Sequence, residues 1–295
     1  MSRPKNYYIF GQGISQSLSP PIHNAGFKHY GLPHHYDIHE CPDLDTVRSI
    51  IEDSTFGGSS ITMPHKLRAS KFCTSISDSA STIGAINTLA VSEGPTGDGA
   101  SQRSIHGDNT DWSGLYSLVA EYMAQSKPDT SVGLVIGAGG AARAAVYALI
   151  QARVEKIYIA NRTLANAAKV AQDFQGLHPV IPVVFPSGLA EDPDFIVGTV
   201  PGEAFTAESY AELFRKKQGL CIEMAYKPRI TKLLEVAMEH EKWTTADGLE
   251  VLLRQAFEQF RIWTGREPPE TVMRQAVADE FERRTRSDGM ARTSL

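Results

Sequence analysis

The glycine-rich segment Gly137–Ala142 constrains the fold more than any other part of this chain. It follows an apolar run, Val132–Ile136, and opens a stretch with a helical pattern, Ala141–Gln151. The spacing fits G-x-G-x-x-A, in which the first glycine permits a tight turn and the second lets the backbone approach a pyrophosphate at the helix N-terminus. Such a string is informative only between a strand and a helix, as here. We therefore predict a dinucleotide-binding turn formed by Gly137, Ala138, Gly139, Gly140 and Ala141.

Strand and helix patterns alternate through the middle third of the chain. Apolar runs are separated by helical patterns such as Leu164–Phe174. This alternation is typical of right-handed crossovers and a parallel sheet. The predicted fold class is therefore α/β, with a Rossmann-like NAD(P)-binding domain. Its further predicted strands are Lys156–Ala160, Val180–Phe185, Asp194–Val200 and Leu220–Met224.

The flanks of this region differ from it. The first third alternates short strands and helices, and the chain after Gly248 is helical nearly to its end, so that two domains are expected. The polar residues 287–295 are expected to be a disordered tail. The predicted flanking elements are strands at Tyr7–Phe10 and Ile86–Val91, a strand that follows Gly57 and Gly58 and ends at Ser60–Thr62, helices at Ser19–Tyr30, Leu249–Trp263 and Glu270–Arg284, and an exposed loop at Glu93–Gln102.

Composition excludes several classes of protein. A formal net charge of −5 and a pI of about 6.0 argue against a binder of nucleic acid or anionic membranes, which needs a basic field. Cys41, Cys73 and Cys221 lie far apart, which predicts neither disulfides nor a cysteine-based zinc site. We find no apolar run near the roughly 18 residues of a membrane span. We expect a soluble, cytoplasmic protein without a metal.

The end of the second central strand bears on cofactor choice. NAD sites usually place an acidic residue there to accept hydrogen bonds from the ribose. This chain has Asn161, Arg162 and Thr163 instead, and Arg162 can pair with a 2′-phosphate. The sequence therefore favours NADP over NAD, although NAD stays possible.

Three segments outside the central region are rich in groups that bind hydroxyls and carboxylates. Ser17 and Ser19 are two residues apart, which in an extended segment puts both hydroxyls on one side. Thr62–Lys66 brings a hydroxyl and an amine to the end of a strand, and Asp108–Trp112 is a polar turn before a helix. Hydride transfer to or from an alcohol carbon needs a group that exchanges a proton with its oxygen, and a lysine amine can do this.

These segments carry a family resemblance. The chain resembles the shikimate/quinate dehydrogenase family, and the stretch F-G-G-S-S-I-T-M-P-H-K looks closest to fungal members. The matching motifs run in family order from about Tyr7 to about Gly265. They lie at Ile14–Asn24, Ser60–Lys66, Gly84–Thr88, Asp108–Gly114, Gly137–Arg143, Asn161–Thr163, Ala246–Ala256 and Trp263–Gly265.

The resemblance implies a site and a domain plan. Residues 1–112, completed by helices in 248–286, would form a substrate-binding domain, and 113–247 the Rossmann-like domain, with a cleft between them. Lys66 and Asp111 match the catalytic pair. The implied substrate ligands are Ser17, Ser19, Thr62, Asn87, Tyr226 and Gln255, and the implied cofactor contacts beyond the glycine-rich turn and Asn161–Thr163 are Asp78, Thr199, Met224 and Gly248.

The implied activity is the NADP-dependent, reversible reduction of 3-dehydroshikimate to shikimate by a monomer or homodimer. Three departures from the family pattern leave alternatives open: Ser60 stands where an asparagine is usual, Glu223 replaces an aspartate, and the loop Gly198–Gly202 differs. One alternative is a quinate or dual-specificity dehydrogenase. The other is a non-catalytic sensor of the same metabolite, although retention of Lys66 and Asp111 argues against it.

Overall fold

The computed structural model describes residues 3–95, 101–126 and 131–293 and divides the chain into two compact units. Unit 1 comprises residues 1–80, 85–110 and 256–295, and unit 2 comprises residues 81–84 and 111–255. The sequence-based domain plan instead places the whole of the helix after Gly248 with the first unit. The structure assigns the beginning of that helix to unit 2. Every helix of the described residues is too short or too polar to cross a membrane.

Unit 1 is built on a mixed six-stranded sheet in the order β2-β1-β3-β5-β6-β4. The pairs β1–β2, β1–β3 and β4–β6 are parallel, whereas β3–β5 and β5–β6 are antiparallel. The strands are β1 (Asn6–Gly11), β2 (His35–Glu40), β3 (Phe56–Ile61), β4 (Ser75–Ile76), β5 (Thr88–Pro95) and β6 (Ser101–Asp108).

Two glycines lie inside strand β3, which corrects the sequence-based start of this strand after Gly58. All six residues of β3 are buried. A Cβ at Gly57 would lie 2.5 Å from the Tyr7 ring, and one at Gly58 would lie 2.5 Å from the carbonyl oxygen of Leu89. The glycines are therefore required by packing within the sheet and do not mark a turn.

The helices of unit 1 cover this sheet and continue to the C-terminus. Helix α1 (Ser19–His29) starts with two prolines in its first turn and packs against α10 (Glu270–Thr293). The predicted disordered tail is therefore wrong up to Thr293, and the last two residues lie outside the described part. The other helices are α2 (Arg48–Glu52), α3 (Asp78–Ile83), which crosses into unit 2, and short 3₁₀ turns at Leu44–Val47 and Ala69–Phe72.

The predicted loop at Glu93–Gln102 is only partly described. Strands β5 and β6 pair up to Pro95 opposite Ser101, so the flanks of this segment form an antiparallel hairpin. Residues 96–100 at its tip lie outside the described residues. Strand β5 begins at Thr88 rather than at Ile86.

Unit 2 contains an all-parallel six-stranded sheet in the order β12-β11-β10-β7-β8-β9. Chain order reverses between β7 and β10, which is the arrangement of a Rossmann fold, as predicted. Ligands bind at such a switch point, outside the carboxyl ends of the strands. The strands are β7 (Val132–Ile136), β8 (Lys156–Asn161), β9 (Val180–Val184), β10 (Phe195–Gly198), β11 (Gly219–Glu223) and β12 (Trp243–Ala246).

Helices pack on the two faces of this sheet and bury two apolar clusters. One cluster joins β7 to small residues of α5 such as Ala145, and the other surrounds Leu134 on the opposite face. The helices are α4 (Asp111–Ser126), α5 (Gly140–Gln151), α6 (Leu164–Phe174), α7 (Ala207–Ala211), α8 (Lys232–Met238) and α9 (Gly248–Thr264), whose last part belongs to unit 1.

Candidate active site

Ser17 and Ser19 bring their hydroxyls together in unit 1. The two Oγ atoms are 3.2 Å apart, and both side chains are buried. The sequence analysis expected an extended segment here, but the structure has a turn. The Ser17 N–H donates to Ile14 O in this turn, and Ser19 is the first residue of α1. The N-cap of α1 is Leu18. The two hydroxyls therefore meet because the chain turns here, and not because alternate residues of a strand face the same side.

Asn87 is buried at the start of β5 with a fixed side-chain orientation. Its Oδ1 accepts hydrogen bonds from the backbone N–H of Thr110 at 2.7 Å and from the Thr88 hydroxyl at 2.7 Å. Its Nδ2 donates to Thr110 Oγ1 at 2.9 Å. A backbone N–H can only donate, so this bond identifies the oxygen of the amide.

Thr62 and Lys66 lie on the loop after β3. The Thr62 N–H donates to Phe10 O, and the Lys66 carbonyl accepts from Ile86 N–H at 2.8 Å. Between them, His65 is buried, and its Nε2 lies 2.9 Å from Cys41 O. These contacts hold both ends of the loop while the Lys66 side chain is half-buried.

The two predicted site aspartates both begin helices. Asp78 is the exposed first residue of α3, in unit 1. Asp111 is the first residue of α4, in unit 2, and is only 5% exposed. The positive end of a helix dipole stabilises a carboxylate, and the 16-residue α4 supplies that field at Asp111.

The glycine-rich turn lies at the switch point of the unit 2 sheet. Gly137 has φ +125°, and a Cβ there would lie 2.2 Å from Thr199 Oγ1. Gly139 is the N-cap of α5, with extended backbone angles, and a Cβ there would meet no described atom within 4 Å. The first glycine is therefore required by the protein itself. The second leaves open space at a helix N-terminus, which suits a pyrophosphate.

The other predicted cofactor residues of the two inner strands lie beside this turn. Thr199 follows β10, and both its N–H and its hydroxyl donate to Ile136 O. Asn161 ends β8 and donates to Thr163 O at 3.0 Å. Arg162 is exposed, and its guanidinium carbon lies 5.8 Å from the centre of the Phe205 ring. Sequence reasoning missed Phe205, because no motif marks it.

The loop after β11 carries Met224 and Tyr226, both half-buried. Glu223, 1% exposed, accepts hydrogen bonds from Ala225 N–H and Thr231 Oγ1, each at 2.9 Å. Burial raises the pKa of Glu223 above its ordinary value. Glu223 thus anchors both ends of the loop, a role the sequence analysis did not assign.

The last two predicted site residues lie on α9. A Cβ at Gly248 would lie 2.4 Å from Ala225 O, so this position accepts only glycine without movement of the loop. Gln255 is 7% exposed, and its Nε2 donates to Leu252 O at 2.8 Å. The structure therefore distributes the predicted residues over both units: Ser17, Ser19, Thr62, Lys66, Asp78 and Asn87 in unit 1, and the others in unit 2.

Fold and turn together define a two-unit α/β protein with a Rossmann-type dinucleotide-binding sheet. Three family descriptions match the chain. The substrate-binding domain of shikimate dehydrogenases matches residues 9–89, shikimate/quinate 5-dehydrogenase matches 119–204, and the C-terminal domain of shikimate 5′-dehydrogenases matches 248–278. The chain belongs to the shikimate/quinate dehydrogenase family, a family of oxidoreductases that use NAD(P).

Its curated relatives include fungal proteins of two kinds. The pentafunctional AROM polypeptide of Malassezia globosa is 39% identical over 90% of this chain. The quinate repressor protein of Emericella nidulans is 33% identical over 95% of this chain. The chain spans only 17% and 35% of these two proteins, respectively.

Solved structures agree in fold. The dehydroquinate dehydratase and shikimate dehydrogenase structure from S. pombe AroM is 34% identical, with a TM-score of 0.77 over 94% of this chain and 53% of that one. The Thermus thermophilus shikimate 5-dehydrogenase bound to NADP(H) and shikimate is 28% identical (TM-score 0.74; 93% and 99% covered). The Corynebacterium glutamicum quinate dehydrogenase bound to NAD is 25% identical (TM-score 0.75; 94% and 100% covered).

Proposed function

We propose that this chain catalyses the NADP-dependent, reversible reduction of 3-dehydroshikimate to shikimate. Most of the proposed substrate ligands lie in unit 1, and most of the proposed cofactor contacts lie in unit 2. The observation that carries an enzymatic function is the open space at Gly139, at the N-terminus of α5 and the switch point of the sheet. A sensor of the ring acid alone has no use for this feature.

The residues of unit 2 fit a dinucleotide phosphate. The α5 N-terminus offers backbone N–H donors to the pyrophosphate, and Arg162 offers a cation to the 2′-phosphate. The end of β8 carries the amide of Asn161, which donates to Thr163 O, in place of the carboxylate that would accept from ribose hydroxyls. The bound cofactor supplies the hydride.

The side chains of unit 1 fit a polyhydroxylated acid. Ser17 and Ser19 supply paired hydroxyls for the carboxylate, and Thr62 and Asn87 supply donors for ring oxygens. During reduction, the Lys66 ammonium donates a proton to the oxygen of the ketone as the carbon receives its hydride. In the reverse direction, the Lys66 amine takes the alcohol proton. Asp111 is the second member of this proposed proton-transfer pair.

Two other functions are open to a member of this family. Quinate has a tertiary hydroxyl on a saturated carbon where shikimate has the ring double bond beside its carboxylate, so a quinate or dual-specificity dehydrogenase needs only small changes near Ser17 and Ser19. The similarity to the Emericella nidulans quinate repressor favours a metabolite sensor as the second alternative.

Initial rates with shikimate and with quinate, each with NADP and with NAD, test these alternatives. We expect the highest kcat/KM with shikimate and NADP. A higher value with quinate would replace the proposed substrate. Binding of the ring acid in calorimetry without any reduction of NADP or NAD would identify a sensor.

A further inference from the structure

A chain of buried hydrogen bonds runs through unit 1 to Asn87. It begins at Tyr36 of β2, whose hydroxyl donates to Ser60 Oγ of β3 at 2.7 Å. Ser60 Oγ donates in turn to Gln259 Oε1 at 2.9 Å. The residue at 60 is the serine that departs from the family's usual asparagine, and the structure thus gives it a partner on α9.

Gln259 continues this series of hydrogen bonds to Asn87, the proposed substrate ligand. Its Nε2 donates to Thr88 Oγ1 at 2.9 Å, and the Thr88 hydroxyl donates to Asn87 Oδ1 at 2.7 Å. Gln259 Nε2 also lies 3.3 Å from the Asn87 carbonyl oxygen, and Gln259 is fully buried. The Tyr36 hydroxyl donates to the next group, and the Ser60 and Thr88 hydroxyls each accept from the group before and donate to the group after, so the direction of the bonds is consistent from Tyr36 to Asn87.

We propose that Gln259 is a positioning residue that orients the substrate ligand Asn87 through Thr88. This inference rests on the proposed function, because it requires Asn87 to contact the ring acid. Because Thr88 Oγ1 accepts a hydrogen bond from Gln259 Nε2, the Thr88 hydroxyl hydrogen points away from Gln259 and towards Asn87 Oδ1. The bond from Thr88 and the bond from Thr110 N–H together fix the plane and the flip of the Asn87 amide. Linked bonds of this kind also polarise one another.

The first test is Gln259→Met, which keeps the length of the side chain and removes its polar atoms. We expect the KM for the ring acid to rise about 3- to 10-fold, the worth of one neutral hydrogen bond, with kcat and the KM for the cofactor nearly unchanged. Thr264→Val is the matched control on the same helix, since Thr264 Oγ1 donates to Phe260 O and accepts from Arg266 N–H, both at the end of the helix and away from the series of bonds to Asn87. It should leave both constants unchanged.

A double-mutant cycle with Asn87→Ala separates positioning from general loosening of the fold. If Gln259 acts through Asn87, then Gln259→Met should have almost no further effect on the KM in the Asn87→Ala background. An equal effect of Gln259→Met in both backgrounds would overturn the proposal.

Gln259→Glu gives a readout that a purely structural role would not produce. A protonated carboxyl can both accept from Ser60 and donate to Thr88, whereas a carboxylate can only accept. Thr88 would then turn its hydrogen to the carboxylate and release Asn87. His23 of α1 is a titratable group that lies against Gln259, and Tyr36 is connected to Gln259 through Ser60. The Gln259→Glu variant is therefore measured in the wild-type and in the His23→Phe background. In both, we expect its KM, relative to the matching parent at each pH, to be near normal in acid and to rise with pH. A ratio of KM values that does not change with pH would contradict the relay, by which we mean the series of hydrogen bonds from Gln259 through Thr88 to Asn87.

The relay and the proposed function can fail separately. A wild-type chain without turnover of any ring acid would overturn the proposed function, and the relay with it. Normal wild-type turnover with unchanged KM in both Gln259 variants would overturn the relay alone. Thermal unfolding of each variant checks that the folded state persists under the assay conditions.

Discussion

The predicted substrate ligands of unit 1 and the predicted phosphate ligands of unit 2 are held in opposite ways. In unit 1 they are buried side chains such as Ser19 and Asn87, each held by hydrogen bonds to other side chains or loops. In unit 2 the groups proposed for the cofactor phosphates are backbone N–H groups at a helix N-terminus and an exposed arginine, Arg162. A local motif fixes the backbone of a turn, whereas partners distant in sequence fix a buried side chain. The two kinds of site should therefore respond differently to substitution.

The largest expected effect concerns the proton-transfer group of unit 1. Lys66→Ala should lower turnover by about 10²-fold or more, the scale of a lost general acid/base. The Michaelis constants should change much less, because the interaction belongs mainly to the transition state. Steady-state rates with shikimate and NADP measure both.

The matched control is Lys71→Ala, which removes an exposed lysine that pairs with Asp45 at 2.6 Å. Its turnover should be normal. Near-normal turnover of Lys66→Ala would end the catalytic assignment of Lys66 and leave unit 1 as a binding unit only.

The two glycines of the turn in unit 2 should separate folding from cofactor binding. Gly137→Ala forces a Cβ into a left-handed backbone and against Thr199 Oγ1, so it should destabilise the protein by about 1–3 kcal/mol or more. A Cβ at Gly139 meets no described atom within 4 Å and the backbone angles suit any residue, so the thermal stability of Gly139→Val should be near normal. It should nevertheless weaken NADP by about 10- to 100-fold, the cost of lost charge-assisted hydrogen bonds.

Unfolding curves and cofactor titrations of the two variants check this pair. Equal losses of stability in both would show that Gly139 is structural. Full affinity of Gly139→Val for NADP would place the pyrophosphate elsewhere and remove the main support for the proposed function.

Arg162 tests how much one exposed side chain contributes in unit 2. Arg162→Ala should weaken NADP by about 1.5–3 kcal/mol, the worth of a hydrogen bond to a charged group, while hardly affecting NAD. Arg215→Ala, which removes another exposed arginine of the same unit, is the control. An equal loss for NAD and NADP would mean that Arg162 does not contact the 2′-phosphate.

The same difference between local motifs and buried side chains with distant partners decides which parts of the fold the sequence predicts. The inner strands of unit 2 and the turn at Gly137 follow from apolar runs and a local motif, and the structure has them near the predicted positions. The sequence analysis missed four strands, of which β2, β4 and β12 lie at sheet edges, whereas β6 lies between β5 and β4 and follows the segment that was predicted to be a loop. In β2 only Tyr36 is fully buried, so an edge strand with one neighbour leaves little apolar pattern to detect.

The site shows the same limit. The sequence named Ser17, Ser19 and Asn87 through motifs, but the partners that orient them are not local. Ser60 and Gln259 are 199 positions apart and meet only in the folded unit. Neither residue type in isolation indicates a site, and no spacing rule connects them.

The loss of folding stability at low pH tests one buried group of unit 1, His23. His23 is fully buried, with its ring stacked on Tyr36 at 4.7 Å, and burial lowers its pKa to about 3. The unfolded chain binds this proton at a pH near 6.5, so the folded state loses stability as the pH falls from there towards 3. Between about pH 7 and about pH 5.5, His23 should account for about 1 kcal/mol of that loss.

His23→Phe keeps an aromatic ring and should reduce the acid-side loss by that amount in urea unfolding at the two pH values. His29→Gln, at an exposed position of the same helix, should leave the pH dependence unchanged. The same pH dependence in wild type and His23→Phe would show that His23 is not a proton-linked group of the fold.

The smallest expected effect belongs to Phe205, which sequence reasoning missed. Its ring lies under the Arg162 guanidinium at 5.8 Å and packs against Phe185 at 4.3 Å, so it is held in place from the other side. An exposed cation–π contact contributes about 0.5–1 kcal/mol. Phe205→Leu should therefore raise the KM for NADP by about 2- to 5-fold through a less ordered Arg162, and leave the KM for NAD unchanged. In the Arg162→Ala background the substitution should have no effect on NADP. A remaining effect there would mean that Phe205 contacts the cofactor itself, and that unit 2 also uses a half-buried apolar side chain for recognition.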